Sequence, residues 1–156
     1  MTGGISLRGT VLVLLCSLCL AQEGTRIAVV VNPANPATDI SLPALRDFFQ
    51  CERLYWRTGQ RAMAFTRQPG SPEYRIMLQT VYRLSQPEYE KLWVLKQMRG
   101  ESSCRVTELP SKGIVQEGVR SYVGAIALIR DAEVTPGMKV LTVNGKRIQD
   151  ADYPLQ

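Results

Sequence analysis

Residues 26 to 36, RIAVVVNPANP, constrain this chain more than any other stretch. The run of Ile, Ala and Val has no polar alternation, so it reads as a short strand that a sheet buries on both faces. Such a strand needs a layer of structure on each side, and helices supply it most readily. The run ends in NPANPATD, whose two Asn-Pro steps disfavour helix and force an extended, turned connection. At 156 residues the chain has the length of one domain, and without an N-terminal leader it still has enough residues to bury a core.

The remaining signals alternate between strand and helix, with no repeat and no low-complexity segment. Ser41 is placed to cap a helix over 42–50, with Pro43 in its first turn and Leu42, Leu45, Phe48 and Phe49 on one core-facing side. CERLYWRTGQR follows as a loop in which Gly59 marks a turn and Trp56 serves as a packing lid. RAMAFTR, 61–67, reads as a second strand, and a helix over 72–84 buries Tyr74, Met77 or Leu78, Val81 and Tyr82. Ser85-Gln86-Pro87-Glu88 is a capping box for a third helix, with Tyr89, Leu92, Trp93 and Lys96 along one side, and Gly100 ends it. LPSKGIVQEGVRSY is a weak helix signal carrying two glycines. VGAIALI, 123–129, is a buried strand, and MKVLTV and KRI flank Asn144-Gly145 as a hairpin. The order predicts an α/β fold, a mixed β-sheet flanked by helices.

Residues 1–21 read as a secretory signal peptide, with Arg8, the apolar run TVLVLLCSLCLA and a small-residue cleavage point at Ala21. The rival reading is an N-terminal membrane anchor, disfavoured by an apolar run too short to span comfortably. The leader removes Cys16 and Cys19, and residues 22–156 form the mature domain, periplasmic or secreted, with no stable membrane span. Cys51 and Cys104 remain, an even count that suits an oxidising compartment. They are a candidate disulfide, and equally two half-buried small hydrophobes.

The chain has no histidine, so the commonest metal ligand and the commonest general base are both missing. No nucleophile stands beside a base and no glycine-rich nucleotide loop is present, so an enzyme is not expected, nor a cofactor or metal. Charge adds little. The 19 Lys and Arg against 14 Asp and Glu give +5, and +4 once Arg8 leaves. That excess suits a small anion, but the basic residues are scattered rather than gathered around aromatic side chains, which argues against nucleic acid.

FTRQPGSPEYRIML, 65–78, carries the chemistry. An arginine at a strand end precedes a Pro-Gly turn, a serine and a helix start. Arginine presents a fork of donors that matches an oxyanion, and a helix N-terminus adds amides and a positive dipole end. The same residues also serve a helix start alone, with Ser71 as cap and Pro72 and Glu73 in the first turn.

In order and spacing, IAVVVNPANP, DISLPALRDFFQ, the turn with Trp56 and Gly59, FTRQPGSPEYRIML, VGAIALI, KVLTVNG and the YPL ending resemble the phosphate ABC transporter substrate-binding proteins of the periplasm. The resemblance spans most of 26–155. It implies a type II periplasmic binding protein fold that clamps phosphate between two lobes, with only one lobe here. Carried over, it points to Arg67, Gly70 and Ser71 as phosphate-binding residues. The chain departs from the family where Ser-Gly-Thr is usual: it has Gly70-Ser71-Pro72, which lacks the second hydroxyl, and Pro72 has no amide to offer. Half a clamp also loses opposing donors and water exclusion.

Two functions are thus expected. One is a module binding phosphate or another small oxyanion for transport, its cleft completed by a protein partner or by self-association. The other is a non-catalytic interaction or scaffold protein that keeps the lobe without the ligand. GMKVLTVNGKRI also resembles the strand-turn-strand core of a PDZ domain, although turn chemistry suffices to explain it.

Overall fold

A computed structural model describes residues 25–101 and 104–156. The leader expected over 1–21 lies outside the described residues. Strand β1 (Ile27–Val31) is buried at all five positions, as its composition predicts. It lies in a five-stranded sheet of order β4-β3-β5-β1-β6, with β3 (Met63–Arg67), β4 (Thr107–Leu109), β5 (Ala125–Arg130) and β6 (Lys139–Val140). β4, β3 and β5 run parallel, while β1 runs antiparallel to β5, with Ile27 opposite Arg130 and Val31 opposite Ile126. β6 closes the other side of β1, also antiparallel. β2 (Asp39–Ile40) and β7 (Thr142–Val143) form a small separate parallel pair.

Helices cover the sheet. α1 (Leu42–Phe49) starts where Ser41 Oγ accepts from the Ala44 amide, and it buries Leu45, Phe48 and Phe49. α2 (Pro72–Ile76) continues into a π-helical turn (Met77–Tyr82), then breaks at Arg83 in the left-handed region, φ 57°. The sequence predicts a plain helix here. The wider turn instead buries Met77, Leu78, Val81 and Tyr82 together, and the Val81 carbonyl accepts from Arg46 Nε at 2.6 Å. α3 (Gln86–Met98) carries the expected capping box, and α4 (Lys112–Ser121) is the helix weakly signalled by its glycines. Tyr74, Tyr82, Tyr89 and Trp93 pack edge to face between these helices, with ring centroids 5.0–6.2 Å apart.

Two features differ from the sequence reading. β4 has no periodic signal of its own and becomes a strand by pairing with β3, Thr107 opposite Phe65. The Asn144-Gly145 turn has the positive φ values of a hairpin, 52° and 73°, but only Val143 and Lys146 bridge across it. The flanking residues pair elsewhere, β6 with β1 and β7 with β2. Asn144 Oδ1 instead accepts from the Leu42 amide at 2.9 Å and helps to cap α1.

A disulfide joins Cys51, just past α1, to Cys104, across a sequence separation of 53. Beside it, the buried Lys96 ammonium pairs with Glu52 at 2.6 Å and Glu101 at 3.7 Å. Gly124, at the entry to β5, is required by close approach, since a Cβ there would lie 1.9 Å from the Arg61 carbonyl. Among the described residues, no helix is long and apolar enough to cross a membrane.

Candidate functional site

β3 and β5 are parallel neighbours, so Arg67 and Arg130, the last residue of each, lie at the same edge of the sheet. In open α/β sheets the carboxyl ends of parallel strands are where ligands bind. The turn Gln68–Ser71 leads from β3 into α2 at this edge. Its tightness needs Gly70, φ 90°, and the Ser71 amide closes it by donating to the Gln68 carbonyl at 3.3 Å. Ser71 Oγ accepts from the Tyr74 amide at 3.2 Å, which is a helix cap. That bond uses an oxygen lone pair and leaves the hydroxyl proton free to be donated elsewhere.

Arg67 is largely covered, with 19% of its side chain exposed. One terminal nitrogen stands 3.9 Å from Glu133 Oε2, and the other donates to the Pro110 carbonyl at 3.4 Å. Its Nε is buried and has no partner among the described residues. Of the three residues carried over from the resemblance, Arg67 thus faces Glu133, Ser71 caps α2, and Gly70 shapes the turn between them.

Three further charges meet at this edge. Glu73 sits in the first turn of α2, only 1% exposed, with Oε1 3.7 Å from Arg130 Nε. Neither of its carboxylate oxygens accepts a hydrogen bond from the described residues. Glu133, in the short 3₁₀ turn after β5 (Asp131–Glu133), forms an ion pair and hydrogen bond with Arg130 as well as facing Arg67. Gln116 of α4 donates to the Glu133 backbone carbonyl at 2.7 Å and fixes that turn. Two buried carboxylates therefore stand against two arginines where strands β3 and β5 end.

Sequence reasoning saw Glu73 as a complement to the helix dipole and passed over Arg130 and Glu133. The available signal was placement: RDAE directly follows a buried strand, as Arg67 does. Among the described residues no group of three or more Cys, Asp or Glu gathers to hold a metal ion.

No family model matches this chain, and no curated protein does. Solved structures do. A structure described as a phosphate ABC transporter substrate-binding protein with bound phosphate, from Clostridium perfringens, is 16% identical with a TM-score of 0.64, covering 80% of this chain and 47% of that one. An ABC-type phosphate transport receptor from Vibrio cholerae is 16% identical with a TM-score of 0.63, covering 80% and 48%. PstS from Borrelia burgdorferi is 16% identical with a TM-score of 0.63, covering 84% and 54%. This chain spans about half the length of the solved proteins it matches. In fold, the chain resembles one lobe of the phosphate ABC transporter substrate-binding proteins.

Proposed function

We propose that this chain is a secreted or periplasmic binding-protein-like module whose anion position is held by its own carboxylates, and that it works through contacts with other proteins. The observation that carries this reading is Glu73, buried in the first turn of α2 beside Arg130. An oxyanion drawn to Arg67 and the start of α2 would meet the charges of Glu73 and Glu133. Two like charges about 4 Å apart repel by about 4 kcal/mol near a protein surface, enough to cancel what a single arginine offers. Exposed apolar side chains on α3, Val94, Leu95 and Met98, supply surface of the kind protein contacts use. The apolar leader and the Cys51–Cys104 disulfide support an oxidising compartment.

One observation favours the second reading, capture of phosphate or a related oxyanion for transport. Arg67 Nε is buried without a partner, and the Ser71 hydroxyl retains a proton to donate, so Arg67, Gly70 and Ser71 could still form part of an oxyanion cradle. Titration calorimetry of the purified chain with phosphate, sulfate and arsenate separates the two. Silence up to millimolar anion, with binding appearing in Glu73→Gln, is the result expected of a self-neutralised site. Micromolar binding by the unaltered chain that disappears in Arg67→Ala would overturn the first reading in favour of the second.

A further inference from the structure

At the opposite edge of the sheet lies a groove that none of the preceding chemistry uses. β1 runs antiparallel to β5, so the segment after β1 emerges beside the amino end of β5, away from Arg67 and Arg130. There Asn35 to Ala37, the start of α1 and the loop after α1 line this open groove, with a volume of about 420 Å³. That volume suits a small organic molecule.

Its walls combine two kinds of group. The first is an aromatic surface. Trp56 packs against Phe48 with centroids 4.5 Å apart and the rings tilted by 34°, and its indole N–H is fixed by donation to the Gly124 carbonyl at 2.9 Å. The ring is thus held in one orientation and adds no polar demand of its own. Ala37, Ile40 and Ala44 continue the apolar lining.

The second is positive charge. Arg53 and Arg57 both line the groove, and the Arg53 guanidinium lies over the Phe48 ring at 5.4 Å. No ion pair to either guanidinium is present among the described residues. Asp39 is the one acid among the described residues of the lining, and its Oδ1 is occupied by the Thr142 hydroxyl and, at 2.8 Å, the Gly145 amide.

We propose that this groove binds a small aromatic carboxylate, its ring against Trp56 and its apolar neighbours and its carboxylate held by Arg53 and Arg57. An inorganic oxyanion leaves the aromatic wall unused, and a neutral aromatic leaves two arginines unanswered. Only a ligand with both parts satisfies the lining.

Indole-3-acetate added to the full chain tests the site, read by nitrogen–proton NMR at the two tryptophan indole signals. The Trp56 signal is assigned by its loss in Trp56→Phe, and Trp93, which lies outside the groove, is the internal control. The expected result is a saturable shift of Trp56 with Trp93 unmoved, and binding about tenfold weaker in the double variant Arg53→Gln/Arg57→Gln, whose exposed positions leave the fold intact. The uncharged indole-3-acetamide should also bind about tenfold more weakly. Absence of a saturable Trp56 shift, or equal affinity for the acetate and the acetamide, would overturn the proposal.

Discussion

Glu73 and Arg130 face each other across the edge of the sheet, Oε1 to Nε at 3.7 Å, and the two differ sharply in their access to water. Glu73 is 1% exposed, whereas the Arg130 side chain is 44% exposed. The pair is therefore a buried carboxylate held by a cation at the surface. Glu133 lies between Arg130 and Arg67 and so links both arginines.

That arrangement predicts unequal effects for the two acids. Glu133→Gln leaves Arg67 and Arg130 with weakened counter-charge and should lower stability by about 2 kcal/mol, less than a fully buried pair because both arginines reach solvent. Glu73→Gln removes a buried charge that accepts no hydrogen bond, and its effect should stay within about 1 kcal/mol. Urea unfolding of both variants checks the order. Equal losses would mean that Glu73 and Glu133 carry the cluster alike.

Ser71 offers a test of what its hydroxyl does for the fold. Its acceptance of the Tyr74 amide makes it an N-cap, so Ser71→Ala should cost about 1 kcal/mol, and Ser71→Asn should recover most of that loss. Thermal unfolding of the two variants measures both. If Ser71→Ala leaves stability unchanged, the cap contributes nothing.

How far the sequence foretold these features depended on whether their causes were local. β1, the Ser41 cap, the Ser85–Glu88 capping box and the buried faces of α1 and α3 follow from neighbours a few residues apart, and each is where its signal put it. β4 is held by pairing with β3, and the strands around Asn144-Gly145 by pairing with β1 and β2, partners remote in sequence. The charge cluster is legible only in half. Arg67 and Ser71 stand together in one motif, but Arg130 and Glu133 arrive from a strand more remote in the chain and adjacent only through the parallel register of β3 and β5. The groove near Asn35 was hidden for the same reason, since Trp56 read as a packing lid and does pack on Phe48.

The Cys51–Cys104 disulfide closes a long loop, with a sequence separation of 53. The chain-entropy account gives about 4 kcal/mol for a loop of this size, within a typical range of about 2–4. Reduction, or Cys51→Ser with Cys104→Ser, should therefore lower the melting temperature by roughly 10 °C. Calorimetry with and without reductant measures it, and an unchanged melting temperature under full reduction would show that the crosslink adds no stability.

High pH should unfold the chain through its buried phenols. Burial pushes the Tyr74, Tyr82, Tyr89 and Tyr153 hydroxyls above the ordinary tyrosine range, and the Glu108 carboxylate near the first three adds to it. Tyr82 donates to the Phe49 carbonyl and Tyr153 to the Ile27 carbonyl, bonds that require the neutral phenol. Because the folded state holds these protons more tightly than the unfolded chain, their contribution to stability is complete below about pH 10 and is lost as pH rises through the raised folded values. Phenolate absorbance from these four residues should thus appear together with loss of the circular dichroism signal, as one cooperative step. The variant Tyr153→Phe, which removes one ionisable phenol, should release one phenolate fewer in that step. Smooth ionisation of all six tyrosines with the helix signal intact would show that the four phenols are open to hydroxide.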